Sequence, residues 1–156
     1  MIDPVYMNVL CQIHARLSDT DVNWVVTGSF GFALQGVPVQ PNDIDIQTNE
    51  VGAYQIESLF SDVVIRKVKF SATERIKSHF GALQIDGIQV EIMGDIQKKG
   101  ADGVWEKPVD PAHYRRMVDI DGLLVPVLSL EYEYQAYLKF GRVERAKMLR
   151  RWLDNE

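Results

Sequence analysis

Met7, Leu10, Cys11, His14 and Leu17 recur at spacings of three and four, which predicts an amphipathic helix of roughly four turns started by Asp3-Pro4 and ending near Ser18-Asp19. Cys11 and His14 sit on that stripe and are read as core residues. The pattern then changes. Trp24-Val25-Val26 is a short apolar run, read as a buried strand, followed by a Gly28-Ser29 turn and a short helix from Phe30 to about Gln35. After a loop stiffened by Pro38 and Pro41, Asp43-Ile44-Asp45-Ile46-Gln47 alternates with the period of a strand. Asn49 is a good N-cap for a helix through Tyr54, Ile56, Leu59 and Phe60, and Val63-Val64-Ile65 opens a strand running towards Phe70.

Two hairpins follow. Phe80–Ile85 and Ile88–Met93 flank Asp86-Gly87, a two-residue loop whose chemistry suits a type I′ turn and fixes the register. That register sets Leu83 opposite Val90 and Ala82 opposite Glu91, with Val90 and Ile92 on the core side and Glu91 on the polar face beside a methyl group. Residues 94–108 read as a loop or short helix, with Trp105 packing at the core or its rim. Asp121-Gly122 joins Met117–Ile120 to Leu123–Val125, and Pro126 is expected to stop that strand or place it at an edge. Ser129 caps a last helix that continues through Tyr134, Tyr137, Val143, Leu149 and Trp152, which Gly141 kinks or divides. Lys139 and Arg142 are expected to share a helical face, and Arg145, Lys147, Arg150 and Arg151 to form a solvated surface.

Composition narrows the function more than the fold. The 156 residues are about one domain, 46% hydrophobic and 25% charged, which excludes a disordered chain. A net charge of −5 argues against a protein that coats nucleic acid. One cysteine permits neither an internal disulfide nor a cysteine zinc cluster, and His14, His79 and His113 have no ligand spacing. No apolar run approaches a membrane span and no leader pattern opens the chain, so a cytoplasmic, membrane-free protein is expected. Between Arg66 and Lys77 five basic residues face one acid. This segment reads as an edge strand and loop, or as a phosphate contact with Arg75 as its candidate.

The candidate chemistry lies at two places. Gly28-Ser29 opens a helix after a strand, so unpaired N–H groups there suit a phosphate. Asp43 and Asp45 are two apart on a strand, so their carboxylates share one face about 7 Å apart and repel unless a cation lies between them. Hard oxygen ligands of this kind suit Mg²⁺ shared with substrate phosphates.

Gly28-Ser29, thirteen intervening residues, Asp43-Ile44-Asp45-Ile46 and later Val90-Glu91-Ile92 together resemble the signature of the polymerase-β-like nucleotidyltransferase superfamily, most closely its small members. These include the lincosamide and aminoglycoside adenylyltransferases, the minimal nucleotidyltransferases and toxin-associated relatives. The resemblance implies that Asp43 and Asp45 bind two Mg²⁺ ions and that Glu91 completes the site, as a metal ligand or as the base that receives the acceptor's proton. It further implies that Gly28 and Ser29 hold the NTP phosphates, with Lys139 and Arg142 neutralising them. Many relatives carry Arg-x-Lys-Asp after the lysine. Here 141–148 lack the aspartate.

The expectation is one α/β (α+β) domain over 1–156, with a mixed, largely antiparallel sheet of about five strands and residues 129–153 as a C-terminal helical segment. The expected function is Mg²⁺-dependent transfer of a nucleoside monophosphate from an NTP, ATP among them, to a hydroxyl on a small molecule. Two alternatives stand beside it: a toxin-type transferase acting on tRNA or protein, and an inactive module that binds a nucleotide or a partner protein.

Overall fold

The structure, a computed structural model, describes residues 2–155. Among these described residues are five α-helices and one seven-stranded sheet. In chain order they are α1 (Pro4–Leu17), β1 (Trp24–Thr27), α2 (Gly28–Leu34), β2 (Ile44–Thr48), α3 (Glu50–Leu59), β3 (Val64–Ala72), β4 (Ile76–Ile85), β5 (Ile88–Lys98), β6 (Arg115–Ile120), β7 (Leu123–Leu128), α4 (Leu130–Lys139) and α5 (Val143–Asp154). The sheet order is β3-β4-β5-β2-β1-β7-β6. Neighbours are antiparallel except β2 with β5 and β1 with β7. The expected sheet of about five strands is enlarged because the 115–128 hairpin joins the same sheet through β1.

Local chemistry starts the helices where the sequence places them. Asp3, Asn49 and Ser129 each accept a backbone N–H at a helix start, from Val5, Gly52 and Tyr132. Asp86 and Gly87, and Asp121 and Gly122, all have positive φ, as a type I′ turn requires. The first of these turns sets Leu83 opposite Val90 and Ala82 opposite Glu91, as expected.

Several boundaries differ. The strand begins at Ile44 rather than Asp43, which lies in the bend just before it. β5 does not end at Met93. It continues to Lys98 past a register shift where Asp95 has φ 50°, and Gly94 admits α3 so closely that an added Cβ would lie 2.6 Å from the Asn49 carbonyl oxygen. Gly94 and a turn-prone aspartate read as a loop, but here they mark a bend within a strand. Pro126 neither stops β7 nor places it at an edge: it lies opposite Met117, and β1 meets β7 in register only at Val26 and Val127. Trp105 is half-buried at the sheet rim, under the Lys77 ammonium at 4.1 Å.

The main core packs α1 and α3 on the sheet around Leu10, Ile13, Ile44, Ile46, Ile56 and Ile92. On α1 the buried face is Val9, Leu10, Ile13 and Leu17. This face is centred away from Cys11, which is exposed, and His14 is only half-buried, its Nε2 3.0 Å from the Leu124 carbonyl oxygen. A smaller cluster of Phe32, Val37, Leu130 and Leu149 fastens α4 and α5 against α2. Gly141, with φ 81°, divides the last helical segment into these two helices.

Candidate active site

β1 and β2 are neighbours at the centre of the sheet, so the turn after β1 and the acidic face of β2 come together. Thr27 lies opposite Asp45. Gly28 has φ 69°, and a Cβ added there would fall 2.5 Å from Asp45 Oδ2. Glycine is needed at this corner for both its backbone angle and its lack of a side chain.

On the other side of β2, the parallel pairing with β5 puts Asp45 opposite Glu91. The flanking residues Ile44, Ile46, Val90 and Ile92 are fully buried on the opposite face, so alternation turns both carboxylates to the same side. Burial pushes the Asp45 carboxyl up to about 6, with Glu91 and then Asp43 raising it further and Arg145 opposing them. Asp45 therefore lies in the field of both Glu91 and Asp43. As they stand, no three His, Cys, Asp or Glu side chains among the described residues close on a single point that could hold an ion. The donor set nevertheless fits Mg²⁺: all three offer hard oxygens, and the mutual repulsion at Asp45 is what a divalent cation relieves.

A cavity of about 190 Å³ runs from Asp45 and Gly28 to Lys98 and Glu106. A second, of about 560 Å³, lies on the other side of the turn against Ser29, Asn42, Arg142 and Arg145. Arg142 borders both. The Ser29 hydroxyl accepts a long bond from the Asn42 N–H at 3.4 Å. Lys139 borders neither and lines an adjoining groove of about 440 Å³. Because the chain turns at Gly141, Lys139 closes α4 while Arg142 precedes α5, so the two do not share a helical face as expected. Arg75 lies exposed in the β3–β4 turn, outside the residues lining these cavities. Of the basic segment around it, Arg66, Lys67 and Lys69 lie on β3, an edge strand, and Lys77 lies at the start of β4.

Two further contributors lie outside the motif residues of the sequence. Glu133 is buried, and its Oε1 accepts the Thr27 hydroxyl at 2.7 Å. Burial raises its carboxyl to about 8, against the Thr27 bond, the Gly28 N–H and the cations Lys98 and Arg145. Arg145 is not part of a solvated surface. Its guanidinium lies over the rings of Phe32 at 5.3 Å and Tyr137 at 5.8 Å, within the field of Asp45. Both residues have a periodic signal. Glu133 falls among Leu130, Tyr134 and Tyr137 on α4, and Arg145 precedes Leu149 and Trp152 by four and seven positions on α5. A charge on an apolar stripe marks a buried ionic group.

The fold and this acidic face beside a glycine turn define a nucleotidyltransferase. The chain belongs to the aminoglycoside-2″-adenylyltransferase family, whose sequence model matches residues 9–150. It is 63% identical, over 100% of its own length and 97% of the other chain, to a candidate nucleotidyltransferase of Thermotoga maritima, with a TM-score of 0.86. It also shares the fold of the lincosamide antibiotic adenylyltransferase LnuA in its lincomycin-bound form, at 12% identity, coverage of 96% and 97%, and a TM-score of 0.57. For ANT(2″)-Ia in complex with adenylyl-2″-tobramycin the figures are 13%, 96% and 90%, and 0.60. No curated protein matches the chain. Among the described residues no helix is long and apolar enough to cross a membrane.

Proposed function

We propose that the protein transfers a nucleoside monophosphate from an NTP to a hydroxyl of a small molecule. The acceptor oxygen forms a bond to the α-phosphorus, the bond to the bridging oxygen breaks, pyrophosphate leaves and the hydroxyl proton passes to a base. ATP is the donor favoured by the adenylyltransferase family. The observation that carries this reading is the Asp45 carboxyl, packed against Gly28 and opposite Glu91 on the sheet, and raised by burial and then by Glu91 and Asp43.

Asp43 and Asp45 hold Mg²⁺, and Glu91 either completes that shell or takes the proton. Bound Mg²⁺ supplies neutralisation of the charge on the entering and leaving oxygens. Ser29, Arg142 and Arg145 border the cavity beside the turn and receive the phosphates, the arginines as planar forks that match phosphate oxygens. Lys139 adds positive charge from the adjoining groove, whereas the exposed Arg75 stands outside this set.

A thermal-shift panel of the four NTPs with Mg²⁺ tests the proposal. At least one nucleotide is expected to stabilise the protein only with the metal, with the shift reduced by Ser29→Ala and largely removed by Asp43→Asn. An equal response to any polyanion without metal would point to a binding module instead.

A further inference from the structure

We propose that β6 is the docking edge for a second copy of the chain: two copies pair antiparallel along β6, about a two-fold axis at Met117, and continue one sheet across both.

Among the described residues the sheet has two edge strands, β3 and β6, and they are built differently. β3 carries Arg66, Lys67 and Lys69, and its pairing with β4 shifts register twice. Lysines and such irregularities keep an edge from accepting another strand. β6 has neither lysine nor proline. Its six residues pair with β7 without a shift, from Arg115 opposite Leu128 to Ile120 opposite Leu123.

The turn decides which backbone groups that edge presents. A two-residue hairpin closes on a hydrogen-bonded pair, here Ile120 with Leu123, and bonded pairs alternate along the ladder. Arg116, Val118 and Ile120 therefore direct their N–H and carbonyl groups to β7. In the same phase, the Ser129 N–H donates to the Tyr114 carbonyl at 2.9 Å. The N–H and carbonyl groups of Arg115, Met117 and Asp119 point outward from the edge, and among the described residues no loop backbone bonds to them.

These residues are self-complementary. With Met117 opposite Met117 of the second copy, Arg115 of each chain stands opposite Asp119 of the other, all on one face. Shifting the axis to Val118 would set Met117 against Asp119 instead. Neither Arg115 nor Asp119 forms a salt bridge within the chain among the described residues. Asp119 Oδ1 accepts the Gly122 N–H at 2.7 Å, which leaves Oδ2 for a partner. Arg115 donates to Asn23 Oδ1 through one nitrogen and keeps the rest of its fork. Met117, 51% exposed, is covered by the same pairing.

Sedimentation equilibrium over about a hundred-fold range of concentration tests the proposal. A reversible monomer–dimer equilibrium is expected. Met117→Lys, Arg115→Asp and Asp119→Arg should each weaken it about ten-fold or more. Arg115→Asp combined with Asp119→Arg should recover it, and Lys67→Glu on β3 should leave it unchanged. Bonded antiparallel pairs hold their Cα atoms about 5.5 Å apart, so Met117→Cys with Cys11→Ser should give a disulfide-linked dimer on oxidation. A monomer at every concentration, a dimer that Met117→Lys leaves intact, or a double variant no tighter than its single parents would overturn the proposal. Arg115, Met117 and Asp119 line none of the cavities beside Asp45, so the outcome is independent of the nucleotidyl-transfer reading.

Discussion

The Thr27 hydroxyl donates a 2.7 Å hydrogen bond to Glu133 Oε1 across 106 positions of sequence. It joins the last residue of β1, immediately before Gly28, to α4, which lines the same cavity as Gly28 and Asp45. A buried carboxyl thus helps fix the corner against which Asp45 rests. The bond has a pH consequence. The carboxyl is raised from 4.5 to about 8 on folding, so its neutral form is favoured in the folded state. Its contribution is fully present below pH about 4.5 and is lost as pH rises towards about 8. Glu133→Gln keeps an acceptor for Thr27 and is expected to flatten this decline in urea titrations between pH 5 and 8.5. An unchanged slope would remove Glu133 as its source.

Asp45→Asn is expected to stabilise the protein in EDTA. The wild-type carboxyl is raised from 3.8 to about 6, chiefly by burial and then by Glu91 and Asp43, so ionising it at pH 7 opposes folding. Raising a carboxyl by one pH unit is worth about 1.4 kcal/mol, so the gain at pH 7 is on the order of 1–3 kcal/mol. It should fade as pH falls to about 4. Melting curves at the two pH values check this, and a loss of stability at pH 7 would contradict the clustered-carboxylate account.

Gly28→Ala and Gly87→Ala form a matched pair. Both glycines have positive φ, but an added Cβ meets Asp45 Oδ2 at 2.5 Å in the first case and nothing within 4 Å in the second. Gly87→Ala should cost about 1–2 kcal/mol through its backbone alone and leave nucleotide binding intact. Gly28→Ala should cost more and abolish the NTP-induced thermal shift. Equal effects would mean that the corner does not shape the site.

The sequence reading succeeds where the determinant is local. Asp86-Gly87 sets the hairpin register that places Glu91, and period-two alternation carries Asp45 and Glu91 to the same face. Asn49 and Ser129 fix their helix starts through single hydrogen bonds. The reading fails where a distant element decides. Gly94 looks like a loop residue because its partner, α3, is more than thirty positions earlier in the chain. Arg145 looks solvated because the rings of Phe32 and Tyr137 that shield it come from two other helices. Glu133 is visible only as a charge on an apolar stripe, and its partner Thr27 follows from the packing of α4 beside β1. Cys11 is a matter of helical phase, with the buried face centred on Leu10, Ile13 and Leu17.

Titration of the protein with Mn²⁺, followed by electron paramagnetic resonance in the presence of a non-hydrolysable ATP analogue, addresses the acidic face most directly. The wild type is expected to bind about two ions per chain, and Asp43→Asn and Glu91→Gln should each remove at least one. Unchanged Mn²⁺ binding in both variants would contradict the assignment of Asp43, Asp45 and Glu91 to a shared metal site.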